Sequence, residues 1–216
     1  MNAPDAPLYP ADNCRLCPRL ATFRDTNREA NPDWHNGPVA SFSGKDEKLL
    51  IVGLAPGLRG ANRTGRPFTG DYAGDLLYPT LLKYKLASGV FKASPDDGLK
   101  LINCRITNAV RCVPPQNKPT GAEIKSCRTF LAREIDSLKN LKVILALGRV
   151  AHDSVLAALG EKRSAWPFGH GAIHRLDSGL IFTDSYHCSR YNTNTGRLTE
   201  SMFHAVFEQA LPLIRD

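Results

Sequence analysis

The segment Leu49–Leu77, LLIVGLAPGLRGANRTGRPFTGDYAGDLL, joins an apolar run to a long polar loop. Its first residues, 49–54, are almost all apolar and form a run short enough to be one strand buried on both faces. The chain then turns at Ala55-Pro56-Gly57 and stays polar and glycine-rich for about sixteen residues before a helical pattern begins. A loop of this length favours a functional role, and the carboxyl end of a parallel strand is where α/β sheets bind ligands.

Three more apolar runs predict strands, and helical patterns separate them. The strands are expected at 101–110, 142–147 and 180–185, and the helices at about 75–86, 120–138, 148–159 and 199–214. This alternation predicts an α/β fold, in which a central four-stranded parallel sheet is flanked by helices in three layers. The length of 216 residues would also permit two small domains, but we expect a single domain spanning 1–216.

The composition restricts the class of protein without deciding its function. Lysine and arginine number 28 against 21 aspartate and glutamate, which leaves a net charge of +7 spread along the chain. This charge raises the expectation of a nucleic-acid partner only modestly. The first residues lack the pattern of a signal peptide, and no apolar run reaches membrane-spanning length. We therefore expect a cytoplasmic protein that does not associate with membranes.

The chain contains six cysteines, and a reducing cytosol argues against disulfides. Cys14 and Cys17 form a Cys-x-x-Cys pair, while Cys112 and Cys127 lie about a hundred residues further on. Four thiolates would suit a [4Fe-4S] cluster or a tetrahedral zinc ion equally well. The alternative is a set of buried free cysteines, which is what we expect of Cys104 in its apolar strand.

Two motifs resemble those of the family 5 uracil-DNA glycosylases. GLAPG followed by NRTGRPFTGD resembles the first motif, and HCSRYNTNTGRL, residues 187–198, resembles the second. Cys188 stands where the second motif has proline, which puts the geometry of this loop in doubt. The cysteine pattern resembles that of the iron-sulfur ligands in families 4 and 5. The resemblance covers most of the chain and implies a uracil-DNA glycosylase-like fold with a structural [4Fe-4S] cluster held by Cys14, Cys17, Cys112 and Cys127.

The resemblance also implies two catalytic residues. Hydrolysis of the bond between uracil and deoxyribose requires an extruded base, a stabilised leaving anion and a positioned water molecule. Asp71 would orient the water and stabilise positive charge on the sugar, while His187 would donate a hydrogen bond to the departing base. Leu54 is apolar where other families place a water-positioning residue, so this role shifts to Asp71. The alternatives are a helix cap for Asp71 and a core histidine for His187.

Further residues are expected to hold the base and the DNA. Phe68 would stack on the extruded base, and the Asn108 amide would match uracil O4 and N3-H, although Asn108 could also be an ordinary turn residue. The other expected base-binding positions are Gly53, Ala55, Pro56 and Gly57. Contacts to phosphates, and to the gap left by the base, are expected from Arg63, Arg66, Arg190, Tyr191 and Arg197.

The sequence therefore predicts a monomeric DNA repair enzyme, a monofunctional glycosylase acting in base excision repair. It leaves open whether the substrate is uracil alone or also hypoxanthine and xanthine, and whether single or double strands are preferred. Whether Arg190 or Tyr191 fills the gap is also open. The competing readings are an iron-sulfur electron carrier and a nucleic-acid-binding protein without glycosylase activity.

Overall fold

A computed structural model describes residues 7–215 of the chain. The predicted domain also includes residues 1–6 and 216, which lie outside the described residues. The strands are β1 (Phe42–Ser43), β2 (Lys45–Gly53), β3 (Ala87–Ser88), β4 (Lys100–Asn108), β5 (Val143–Leu147), β6 (Ile173–Arg175) and β7 (Ile181–Ser185). The α-helices are α1 (Pro18–Ala30), α2 (Ala61–Thr64), α3 (Tyr72–Lys83), α4 (Gly121–Ser137), α5 (Arg149–Leu159), α6 (Arg190–Asn194) and α7 (Glu200–Arg215).

The central sheet contains the four predicted strands as neighbours, in the order β4-β2-β5-β7, and all four are parallel. The predicted parallel sheet is confirmed. Three short strands extend it with antiparallel pairings, which makes the whole sheet mixed: β1 and β3 pair with β4, and β6 pairs with β7. The sequence placed β1 in a loop, because two residues are too few to produce a strand periodicity.

Two helical layers cover the sheet. Residues 49–52 of β2 have no exposed surface, which confirms a strand buried on both faces. Leu49 and Ile51 pack in a cluster with α3 and α7, while Leu50 and Val52 pack in another with α4 and α5. Successive side chains of a strand point to opposite faces, so this alternation places the two helical layers on either side of β2.

The helix ends follow the predicted local signals. Thr120 and Glu123 form a complete capping box at the start of α4, and Gly160 ends α5 with a φ of +76°. Asp71 caps α3, so that helix begins at Tyr72, a few residues before the predicted start. None of the helices within residues 7–215 combines the length and the apolar character needed to cross a bilayer.

Candidate active site

A cavity of about 530 Å³ opens among the loops that follow β2, β5 and β7. These strands are parallel neighbours, so their carboxyl ends lie at one edge of the sheet. Of the residues predicted from the sequence, those lining the cavity are Ala55, Gly57, Asp71, His187, Arg190 and Tyr191. The two proposed catalytic side chains therefore meet in one cavity although they are more than a hundred positions apart in the sequence.

Asp71 has two roles, because its carboxylate caps a helix and also lines the cavity. One carboxylate oxygen, Oδ1, accepts a hydrogen bond of 3.3 Å from the amide of Gly74 in the first turn of α3. Burial raises the pKa of Asp71, and the helix amides oppose this shift. Asp71 is therefore a helix cap, as one alternative expected. The cap uses only Oδ1, so the second oxygen, Oδ2, does not take part in it.

Two glycines make room for that second oxygen. A Cβ atom on Gly60 would lie 2.4 Å from Asp71 Oδ2, and one on Gly57 would lie 3.1 Å from it. The first distance is far inside van der Waals contact, so any side chain at position 60 would displace the carboxylate. Gly57 was expected from the sequence, whereas Gly60 was missed because it belongs to a loop that contains several other glycines.

His187 follows β7 and is held in a neutral state. Burial lowers the pKa of His187 to about 4, so the ring is uncharged at neutral pH. Its Nδ1 atom is buried and has no hydrogen-bond partner among residues 7–215. A neutral imidazole carries one N–H donor, as the proposed hydrogen bond to a leaving base requires.

The loop after β7 is well anchored even though proline is absent. The Asn192 side chain donates a hydrogen bond of 2.8 Å to the His187 carbonyl, and Ser189 caps α6. Cys188 is fully buried and packs in the same core cluster as α3 and α7. Packing and local hydrogen bonds therefore supply the order that proline would otherwise provide.

Phe68, Asn108 and Gly53 converge beside His187. The Phe68 and His187 rings stack with centroids 6.1 Å apart and an interplanar angle of 26°. Gly53 pairs with Asn108 across β2 and β4, and a Cβ atom on Gly53 would lie 2.5 Å from both Asn108 Oδ1 and the Phe68 ring. Only glycine allows this approach. Phe68 also has a φ of +53°, which is a strained backbone conformation for an aromatic residue. In this conformation its ring lies against Gly53 and His187.

Two of the residues predicted to contact DNA, Arg190 and Tyr191, line the cavity, while Arg63 and Arg197 are exposed outside its lining. Tyr191 is 72% exposed, and Arg190 lies beside it with its guanidinium 5.7 Å from the Tyr72 ring centroid. Arg197 stacks on Tyr186 at 4.8 Å, and Arg63 is exposed on α2. These side chains are free to approach a bound strand.

Arg66 corrects the sequence prediction. Its side chain is buried and forms two hydrogen bonds of 2.8 Å with the carboxylate of Asp97, and its guanidinium lies between the Phe42 and Tyr78 rings. A guanidinium held in this way cannot contact phosphates. The sequence could not reveal the pairing, because Asp97 is an ordinary loop aspartate 31 positions away.

Several residues of the cavity were not identified from the sequence. They share no motif and come from elements that are distant in the sequence: Tyr72, Asn117, Arg149, Val150 and Ser189. Position was the available signal, since Ser189 lies inside the second motif and Arg149 and Val150 come just after the predicted third strand.

The four predicted cysteines also meet in space. Cys14 and Cys17 precede α1, Cys112 follows β4 and Cys127 lies on α4, and all four line one small apolar pocket. Burial raises the pKa of Cys112 to about 12 and that of Cys127 to about 11, so these thiols stay protonated unless a metal replaces the proton. Arg24 lies 3.8 Å from Cys112 Sγ, and the Arg111 amide donates to Cys127 Sγ at 3.3 Å.

Comparison with known proteins gives a consistent family match. The family model described as the uracil DNA glycosylase superfamily matches residues 40–211. A type-5 uracil-DNA glycosylase of Thermus thermophilus is 45% identical over 203 residues, covering 91% of this chain and 92% of the relative. One from Mycobacterium bovis is 40% identical, covering 93% and 78%, and one from Pyrobaculum aerophilum is 36% identical, covering 92% and 88%.

Proposed function

We propose that this chain, which belongs to the uracil DNA glycosylase superfamily, is a DNA repair glycosylase. It excises uracil by hydrolysing the N-glycosidic bond. The observation that carries this proposal is the shared cavity of Asp71 and His187, which arrive from different strands. An electron carrier would have no need of such a cavity, and a passive DNA-binding protein would leave both residues without a role.

The two residues act on opposite sides of the breaking bond. Negative charge leaves with the base while positive charge develops on the sugar. Asp71 Oδ2, which is free of the helix cap, orients the attacking water and stabilises the sugar cation. His187 is neutral and donates its N–H to the departing pyrimidine. Neither contribution requires a proton transfer from Asp71, which must remain ionised.

The base is held beside this pair. Phe68 supplies a stacking face, and the Asn108 amide supplies one donor and one acceptor toward O4 and N3-H of uracil. Gly53, Ala55, Pro56 and Gly57 form the turn beneath the base, where the lack of large side chains leaves room for it. Arg63, Arg190, Tyr191 and Arg197 contact the DNA around the extruded nucleotide.

Cys14, Cys17, Cys112 and Cys127 hold a [4Fe-4S] cluster. The four cysteines line one pocket, and the Arg24 side chain and the Arg111 amide donate to two of their sulfurs, which supports this assignment. When bound, the cluster supplies a structural link between the amino-terminal segment, the loop after β4 and α4. The purified protein should be yellow-brown with about four irons per chain, and Cys112→Ser should lose them. Stoichiometric zinc at these cysteines would overturn this part of the proposal.

The activity is tested by measuring base release from oligonucleotides that contain uracil, hypoxanthine or xanthine, in single and double strands. We expect release of uracil, and the panel measures the base range. Absence of release from every uracil-containing substrate by the iron-loaded protein would overturn the proposal.

The assignment of Asp71 is tested against a matched neighbour. Asp71→Asn should lower single-turnover cleavage by about a hundredfold or more while DNA affinity changes little. Asp75→Asn is the control, because Asp75 lies in the first turn of the same helix and is exposed. If Asp75→Asn abolished cleavage and Asp71→Asn did not, the catalytic carboxylate would be Asp75 in the first turn of α3, and the assignment of Asp71 would be wrong.

A further inference from the structure

A second cluster of ionisable residues lies apart from the cavity and the cysteines. His152 comes from α5, His174 from β6 and Asp184 from β7, and their ligand atoms lie within 4.8 Å of one another. The Asp184 side chain is fully buried, while those of His152 and His174 are 1% and 12% exposed. The proposed glycosylase mechanism uses none of them.

Asp184 presents a charge that must be compensated. A buried carboxylate is unfavourable unless a cation lies beside it. The groups facing it are the Gly169 amide at 3.3 Å, His152 Nδ1 at 2.8 Å and His174 Nε2 at 3.6 Å. Among the ion pairs of the described chain, only the two histidines reach this carboxylate, so an ionised Asp184 needs a protonated ring or a bound metal ion beside it.

The hydrogen bonds of His152 limit how this charge can be supplied. Its Nε2 atom lies 2.9 Å from the Trp166 carbonyl, which can only accept, so Nε2 carries a proton. In a neutral ring Nδ1 then presents a lone pair toward Asp184, and two acceptors would face each other at 2.8 Å. A metal ion would resolve this conflict. Metal-binding histidines commonly donate their other N–H to a backbone carbonyl, as His152 does.

His174 distinguishes a metal ion from a proton. Its Nε2 atom is buried and lacks a hydrogen-bond partner within residues 7–215, since 3.6 Å to Asp184 is too long for a hydrogen bond. A proton shared by His152 and Asp184 would leave this nitrogen unused. A divalent cation would engage all three side chains.

We propose that His152 Nδ1, His174 Nε2 and the Asp184 carboxylate bind one divalent transition-metal ion, with zinc the best match to two imidazoles and a carboxylate. Zinc bonds of about 2.0 to 2.2 Å place neighbouring ligand atoms about 3.4 Å apart. His152 Nδ1 lies 2.8 Å from Asp184 Oδ1 and His174 Nε2 lies 3.6 Å from Asp184 Oδ2, so each imidazole faces a different oxygen of the carboxylate. The site is buried, and a bound ion would join α5 and β6 to β7, the strand that leads to His187.

The test counts and characterises bound zinc in the iron-loaded protein. The protein is incubated with zinc, desalted and analysed by elemental mass spectrometry and by X-ray absorption at the zinc edge. We expect one zinc per chain with nitrogen and oxygen neighbours only, and a higher melting temperature with zinc than without. The absorption spectrum separates this site from the cysteines, which would show sulfur neighbours.

Two variants complete the test. His174→Gln should bind zinc at least tenfold more weakly and lose the zinc-dependent rise in melting temperature. His204→Gln is the control, because His204 is similarly buried but lies on α7. The proposal is overturned if wild-type protein retains no zinc, if its zinc has sulfur neighbours, or if His174→Gln binds zinc as tightly as wild type.

Discussion

At Gly60, a single methyl group would collide with the carboxylate that lines the cavity. The added Cβ would lie 2.4 Å from Asp71 Oδ2 and 2.8 Å from Asp71 Cβ and Cγ, so Asp71 would have to move. We expect Gly60→Ala to slow single-turnover cleavage by about ten- to a hundredfold with little loss of DNA affinity, because positioned groups act only in the correct geometry.

A matched control separates this effect from a general loss of stability. Gly121→Ala adds the same methyl group at the start of α4, where nothing lies within 4 Å. Its cleavage rate should equal that of wild type. If Gly60→Ala cleaved as fast as Gly121→Ala, Asp71 Oδ2 would not be the catalytic oxygen.

The pH dependence of cleavage reports the protonation of Asp71 and His187. His187 must be neutral and Asp71 ionised, so both act in their deprotonated forms and the rate must fall on acidification. Burial lowers the pKa of His187 to about 4 and raises that of Asp71. His187 should therefore cause no break near pH 6.5, where an ordinary histidine titrates, and the rate should fall on acidification as Asp71 and His187 take up protons. A break near pH 6.5 that disappears in His187→Ala would contradict this assignment.

At the scale of elements, the Arg66–Asp97 pair ties the loop before α3 to the segment between β3 and β4. Asp97 also accepts hydrogen bonds of 3.0 Å from the amides of Lys92 and Leu99, and the pair with Arg66 lowers the pKa of Asp97. Both side chains are buried, so removing one partner leaves the other charge uncompensated.

Because Arg66 is held in this pair, we expect its substitution to change the stability of the protein and not its binding of DNA. Arg66→Ala should lower the free energy of unfolding by about 3 to 5 kcal/mol in urea denaturation. The exposed Arg63→Ala should change it by less than about 0.5 kcal/mol. A stable Arg66→Ala variant with weakened DNA binding would restore the original expectation that Arg66 contacts phosphates.

At the scale of the whole molecule, we expect the net charge of +7 to act on DNA through exposed arginines such as Arg190 and Arg197. Each phosphate contact releases counterions, so binding should weaken linearly in log affinity with log salt concentration. Arg190→Ala and Arg197→Ala should each reduce the magnitude of that slope by about one, measured by fluorescence anisotropy on uracil-containing DNA. An unchanged slope in both variants would show that these residues do not contact phosphates.

The sequence alone determined the parallel strands and the main helices of this protein. Apolar runs, the Thr120 capping box and the terminating Gly160 are local signals, and local periodicity depends on backbone geometry that any fold must obey. The resemblance to the family 5 uracil-DNA glycosylases also identified Asp71, Asn108 and His187 as candidates, because their residue types and positions match the motifs of that family.

Only the tertiary structure decided which of these side chains meet. The Arg66–Asp97 pair, the clearance that Gly60 leaves for Asp71 and the cluster of His152, His174 and Asp184 all join residues that are distant in the sequence. No local pattern encodes such contacts, since they depend on strand order and helix packing. For the same physical reason, the sequence did not reveal that Arg66 is buried in an ion pair with Asp97. It also did not reveal that Gly60 leaves the space for the Asp71 carboxylate.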